Sequence, residues 1–191
     1  MFNIVAKIIP KTKDFKSVKW VLNMDFEVVV KNRTATRKFK TSKVEESKIE
    51  KILNAGRLAP TAKNLQPQKI YVIKSDTALD QVDKITPCRY DAPLCILVCT
   101  DKNIAWKNEN YSSYESDGAI VATHMILEAT NLGLGSVWVR YFDVSQVQKE
   151  FNLPENIIPI CLMPIGYAAD DYKESPLHNQ RKELSETTLY I

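Results

Sequence analysis

Arg33 and Arg37 stand four residues apart in the run Arg33-Thr34-Ala35-Thr36-Arg37-Lys38-Phe39, with threonine hydroxyls between them. Planar guanidinium forks and short hydroxyl donors are the groups that grip a phosphate. The run therefore reads either as an anion cradle or as a solvated basic face. Residues 59–67, Ala-Pro-Thr-Ala-Lys-Asn-Leu-Gln-Pro, offer a second set. Pro60 stops a helix there, and Thr61, Asn64 and Gln66 carry amide and hydroxyl groups that suit the edge of a heteroaromatic ring, or simply solvate a helix-to-strand loop. The third run, residues 132–140, is Leu-Gly-Leu-Gly-Ser-Val-Trp-Val-Arg with Tyr141 following. Its glycines let backbone come close to a ligand or a neighbouring chain. It lacks the G-x-G-x-x-G spacing and follows no strand, which excludes a Rossmann dinucleotide fingerprint. Pro164-Ile165-Gly166-Tyr167 and an isolated Arg181 complete the candidates.

The elements that must position these runs follow from hydrophobic spacing. Ser42 with Glu45 has the form of a capping box, and Ile49, Ile52, Leu53 and Leu58 then recur at helical spacing as far as Pro60. Residues 69–74 and 93–100 predict strands, with a short helix capped by Ser75 running between them to Ile85. The stretch after Asp101 is polar and irregular. Residues 115–131 are apolar on nearly every side and end near Gly133, which predicts a helix in the core or in a subunit interface. Residues 136–141 predict a strand, Asp143 with Gln146 starts a short helix, and residues 157–165 predict a strand interrupted by prolines. Helices alternating with strands give an α/β or α+β sandwich. On the long apolar helix, His124 and Glu128 sit one turn apart and read as a hydrogen-bonded interface pair. His178 lies in a polar tail and is expected to be exposed.

Composition narrows the class. The 191 residues are 45% hydrophobic and 26% charged, without a linker, a repeat or a low-complexity tract, so one domain is expected. The net charge of +3 is spread along the chain, which argues against a nucleic-acid surface. No apolar run approaches the roughly 20 residues of a membrane span. Cys88, Cys95, Cys99 and Cys161 form no C-x-x-C pair, so no metal site is expected, and Cys95 and Cys99, on one face of an apolar strand, read as buried free thiols in a reducing cytoplasm. Residues 1–23 carry lysines throughout and make a poor secretory signal. With Met24 as a second plausible start, they read as an N-terminal extension, either an arm that wraps a partner or a leader that the domain at 24–191 does not need.

In this order and spacing the runs resemble the nitroreductase family of FMN-dependent oxidoreductases. Residues 33–39 look like the family's R-x-S-x-R-x-F, residues 59–67 like A-P-S-x-x-N-x-Q-P, residues 132–136 like L-G-L-G-S, and residues 165–167 like its later G-Y. The resemblance implies an α+β fold, a three-layer sandwich with a mainly antiparallel sheet, in a domain-swapped type of homodimer with FMN sites built from both chains. Carried over by position, Arg33, Arg37 and Arg181 hold the FMN phosphate and ribityl end, with Thr34 and Ala35 beside them. Pro60, Thr61, Ala62, Asn64 and Gln66 belong to the loop that reaches the flavin, Thr61 and Asn64 from the partner chain. Val139, Arg140 and Tyr141 bring backbone to the reactive edge of the ring. No side chain is implied as general acid or base.

The same resemblance implies NADH or NADPH as donor and a small acceptor, a nitroaromatic, quinone or enone, taken in turn by a ping-pong scheme. The alternative is a flavin-handling protein of the same fold with little reductase activity. Trp106, Tyr111 and Tyr114 form either a lid over the flavin or packing against it. Three departures from the family pattern stand out: Ala35 for the usual serine, Gln68 where an aromatic residue is frequent, and Ala168 for a common proline.

Overall fold

A strand with no face in water organises the chain. β2 (Leu94–Asp101) is buried at every position. Leu94, Ile96 and Val98 face one apolar cluster, shared with residues of α2 (Glu46–Arg57) and α4 (Tyr114–Asn131). Cys95, Leu97 and Cys99 face the other, shared with α3 (Asp76–Ile85) and α5 (Val144–Glu150). The period-two alternation of a strand thus needs helices on both sides, and the result is helix, sheet and helix in three layers. The computed structural model describes residues 25–191, so the extension read at residues 1–23 lies outside the described residues.

The sheet has the order β1-β2-β4-β3, with β1 at Gln68–Ile73, β3 at Gly135–Ser136 and β4 at Ile157–Gly166, each neighbouring pair antiparallel. β4 runs unbroken through both of its prolines, where the sequence predicts interruption. Pairing passes from Val98–Cys161 to Cys99–Pro159, so Ile160 is left as the extra residue of a bulge that absorbs Pro159. Residues 136–141 form less of a strand than expected. After Ser136 only Val139 bridges β4, at Leu162, and Phe142 N–H turns back to the Arg140 carbonyl.

Helix ends explain two further differences. Ser42 and Glu45 do not form a capping box: α2 starts at Glu46, and Glu45 makes no side-chain cap. The Glu45 carboxylate instead accepts the Tyr167 hydroxyl, at 2.7 and 2.9 Å. Leu58 falls beyond the last turn and is exposed. Ser75 and Asp143 cap α3 and α5 as expected, accepting from Ala78 N and Gln146 N. α4 ends in a Schellman motif, with Gly133 at φ +74 and bonds from Gly133 N to Thr130 O and from Leu134 N to Ala129 O, both 2.9 Å.

α4 is buried along Gly118, Val121, Ala122, Met125, Ile126 and Ala129, but not all round. Thr123, His124, Leu127, Glu128 and Asn131 line a cavity of about 560 Å3 with Ala55 of α2 and with Phe26 and Val29 of α1 (Phe26–Asn32). Phe26 at its rim is 71% exposed. Glu128 accepts from Asn131 Nδ2 at 3.1 Å, one turn on, rather than from His124. The three thiols inside the sheet are inert by burial, which pushes Cys95 and Cys99 up to about 12 and Cys161 higher still. Among the described residues no helix is long and apolar enough to cross a membrane, and no cluster of three potential metal ligands occurs.

Gly118 lets α4 pack closely against the sheet. A Cβ there would lie 2.6 Å from Ile160 Cγ1 and 3.0 Å from Thr100 Cγ2, both on stiff β-branched side chains. Overpacking of this kind costs about 1–3 kcal/mol, more than the roughly 1 kcal/mol that alanine gains over glycine within a helix. Gly118→Ala is expected to lower the urea midpoint at unchanged m-value.

Candidate functional site

Residues 33–40 add an extra rung to the sheet edge. Ala35 bridges Ser136 in parallel, and Thr36 N–H donates to Ser136 O at 2.9 Å. The approach is close enough to exclude a side chain at Gly135, whose Cβ would lie 2.5 Å from Thr36 Oγ1. A second seam follows, with Phe39 bridging Ala168, Lys40 N–H donating to Tyr167 O at 2.8 Å and Ala169 N–H to Lys38 O at 3.1 Å. Ion pairs Lys38–Asp171 and Lys40–Asp170 flank it. Tertiary structure therefore gathers the arginine run, the glycine run and the Gly166-Tyr167 run at one corner of the sheet.

Arg33 is half-buried and Arg37 is exposed. Arg37 and Cys88 both lie against the Tyr90 hydroxyl. Its interaction with Cys88, then burial, raises the Tyr90 pKa, against the pull of Arg37. The polar tail returns to the same corner, against expectation. His178 is 11% exposed at its side chain, and its Nε2 lies 3.1 Å from the Lys31 carbonyl at the end of α1, two residues before Arg33. Arg181 comes three residues later, its NH1 donating to Gln180 O at 2.8 Å and Leu177 O at 3.4 Å. Tyr172 also arrives here, its hydroxyl 3.2 Å from Ala35 O and 3.3 Å from Thr34 Oγ1. No sequence signal marked Tyr172, since a tyrosine in a polar tail has no periodic neighbours.

Residues 59–67 lie elsewhere. They lead into β1 at Gln68, which pairs with Thr100, which pairs in turn with Ile158 at the start of β4. The Ala35–Ser136 bridge lies beyond the far edge of the sheet, against Ile165 at the other end of β4. The two runs occupy diagonally opposite corners, about 19 Å apart across the strands and about 20 Å along them. The loop is held in an unusual shape, with Lys63, Asn64 and Gln66 all at positive φ. Thr61 Oγ1 accepts Gln66 N–H at 3.0 Å, Gln66 Nε2 donates to Asn64 O at 3.3 Å, and Ala62 N–H donates to Asp117 Oδ1 at 2.9 Å. Asp117, 2% exposed on α4, receives Ser113 Oγ at 2.7 Å on its other oxygen. A carboxylate at an apolar helix position was the sequence signal for this anchor. Pro60 and Asn64 stay at the exposed surface of the loop.

Trp106 belongs to this second corner, with Lys63 Nζ 5.9 Å from its ring centre and Tyr111 stacked obliquely at 6.3 Å. Residues 139–141 lie between the corners. Val139 is buried, and its N–H and C=O are both bonded to Leu162 at 2.9 Å, which commits its one backbone donor to the sheet. Arg140 is exposed and packs over the Phe142 ring at 4.7 Å, and Tyr141 is 74% exposed. Among the described residues, buried side-chain oxygens without partners fall two at each corner: Thr36 Oγ1 and Ser136 Oγ at one, Gln68 Oε1 and Thr100 Oγ1 at the other.

An α+β sandwich whose antiparallel sheet carries a cationic, hydroxyl-bearing rung at one corner and a strained amide loop at the other defines the class. The sequence model of the nitroreductase family matches residues 30–88 and 84–167, and the chain belongs to that family. A Methanothermobacter thermautotrophicus protein with the provisional name NADH dehydrogenase/NAD(P)H nitroreductase is 30% identical over 79% of this chain and 81% of its own. The crystal structure of a nitroreductase family protein from Clostridium difficile 630 superposes with a TM-score of 0.82 at 39% identity, covering 87% of this chain and 98% of that one. A chain from Exiguobacterium sibiricum, crystallised in complex with FMN, shares the fold at a TM-score of 0.77 and 19% identity, over 88% of this chain and 98% of its own.

Tyr167 fastens the Gly166-Tyr167 run to α2. Besides its bonds to Glu45 it receives Lys48 Nζ at 2.7 Å. The Tyr167 bond, first among several causes, holds the Glu45 carboxylate below its ordinary value of 4.5. A carboxylate depressed in the folded state contributes stability above its unfolded value and loses it as pH falls through the folded one. Tyr167→Phe is thus expected to be less stable than the parent at pH 7, with a gap that narrows below pH 4.5 in denaturant titrations at each pH.

Proposed function

We propose that this protein is a homodimeric, FMN-dependent oxidoreductase that takes electrons from NADH or NADPH and passes them to a small nitroaromatic, quinone or enone in ping-pong order. One observation carries the reading. The two runs that the family directs to a single flavin stand at opposite corners of this sheet, farther apart than the ends of one small cofactor, so a second chain must bring its loop. The apolar cavity among α1, α2 and α4, with exposed Phe26 beside it, supplies surface for such a contact. The orphaned hydroxyls at both corners fit a polar ligand meeting each of them.

In this reading Arg33, Arg37 and Arg181 hold the phosphate and ribityl end, with the Thr34 and Ala35 segment beneath them. Thr61 and Asn64 of the partner subunit, with Pro60, Ala62 and Gln66 of the same loop, meet the flavin from the other side. Val139, Arg140 and Tyr141 supply the backbone near the ring, with the N–H of Val139 already committed to the sheet. The two-electron chemistry, hydride taken from a nicotinamide and handed to the acceptor, belongs to bound FMN. The chain contributes binding, orientation and positive charge where negative charge develops. Free thiols buried in the sheet suit a reducing cytoplasm.

A second reading, flavin handling with little reductase activity, is favoured by Ala35, which offers no hydroxyl, and by Arg181, whose guanidinium bonds its own loop. Anaerobic NADH or NADPH separates the two. Rapid bleaching of the flavin spectrum is expected, and a flavin that stays yellow with both nicotinamides contradicts reductase activity.

Two outcomes test the site. Light scattering is expected to give a dimer at micromolar concentration, and a monomer that binds FMN tightly would contradict the shared site. Arg33→Ala and Arg181→Ala are each expected to weaken FMN by roughly ten- to a hundredfold, from about 1.5–3 kcal/mol per charge-assisted bond. Riboflavin, lacking the phosphate, is expected to lose much less, and equal losses for both ligands would place the phosphate elsewhere.

A further inference from the structure

Tyr172 sits where a proton count decides what its neighbours can do. Thr36 N–H points into the sheet toward Ser136, and in a trans peptide the carbonyl of the preceding residue points the opposite way. The Ala35 carbonyl is therefore turned out of the sheet, where the Tyr172 hydroxyl meets it at 3.2 Å. A carbonyl has no hydrogen to give, so the single phenolic proton goes to Ala35 O. The contact between Tyr172 and Thr34 Oγ1, at 3.3 Å, must then use the threonine proton, and a threonine hydroxyl has one. Thr34 is left without a hydrogen for an anion.

We propose that Tyr172 is a positioning residue for the arginine-bearing segment, and that Thr34 serves the site through Tyr172 rather than by donating to a phosphate. The inference rests on the FMN reading above for its ligand, and on the hydrogen bonds alone for its geometry. Tyr172 is itself well placed for the task. Its N–H turns back to Ala169 O at 3.0 Å, and the Lys38–Asp171 and Lys40–Asp170 ion pairs hold the return segment alongside residues 34–40. A tyrosine from the tail thus fixes the backbone carbonyl at residue 35, where Ala35 itself carries no side-chain hydrogen bond. It restrains the backbone between Arg33 and Arg37, whose spacing the phosphate would read.

Thr34→Val, Tyr172→Phe and the double variant, titrated with FMN and riboflavin by flavin fluorescence, form the test. Tyr172→Phe is expected to weaken FMN five- to twentyfold and riboflavin less than twofold, with Thr34→Ser close to the parent. The double variant is expected to match Tyr172→Phe alone. Losses that multiply would mean that Thr34 touches the phosphate directly, and unchanged FMN affinity or equal loss of riboflavin would remove the positioning role. Amide exchange at Thr36 without added flavin keeps the inference separate from the FMN reading. Tyr172→Phe is expected to speed it at least tenfold, and unchanged exchange overturns the proposal even if FMN binds. A parent protein that binds no flavin would sink the FMN reading while the exchange result still decides this one.

Discussion

A strand that keeps no face in water must be covered twice, and that constraint on β2 sets the remaining architecture. Full burial of each Val, Leu or Ile side chain is worth about 1.5–3 kcal/mol. Surface ion pairs such as Lys74–Glu46 contribute about 0–1 kcal/mol. The aliphatic residues of β2 therefore decide the layering, and the charged pairs at its rim adjust it. Once α2 and α4 cover one face and α3 and α5 the other, the sheet edges are the places left for backbone and polar groups to meet a ligand.

The two corners are built by different means. At the arginine corner, edge backbone is paired rather than left open: residues 33–40 hydrogen-bond to Ser136, Tyr167 and Ala169, and the approach at Gly135 is too tight for any side chain. At the loop corner, three non-glycine residues at positive φ are held by Thr61, Asp117 and Ser113. Left-handed backbone of that kind costs of the order of 1–3 kcal/mol per residue and persists only where surrounding bonds over-determine it. A buried carboxylate receiving a backbone N–H and a hydroxyl provides such a restraint. The strain marks the loop as a shaped surface rather than a slack connection.

Separation of the corners also explains why α4 reads as apolar all round. Its core face is filled by the sheet and α2, while Thr123, His124 and Leu127 face a cavity edged by α1. Apolar residues on a helix face that the described residues leave uncovered are what an association surface requires, and association is what would bring a loop from one corner to the other.

Much of this was legible in the order of residues. The alternation in residues 94–99, the caps at Ser75 and Asp143, and the glycine ending α4 are local signals, each acting within a few residues, and the structure follows them. The ordered runs at 33–39, 59–67, 132–136 and 165–167 likewise carried the family. Sequence misjudged what depends on distant partners. Glu45 abandons its local cap because Tyr167, 122 residues on, takes its carboxylate. Residues 137–141 hold β4 only through Val137 and Val139, since Pro164 has no N–H to return, and His178 is covered because the tail folds back onto α1. Spacing could place Arg33 and Arg37 together, but only the sheet could put Tyr172 on the carbonyl between them, since hydrogen bonds between residues more than a hundred positions apart leave no periodic trace in the chain.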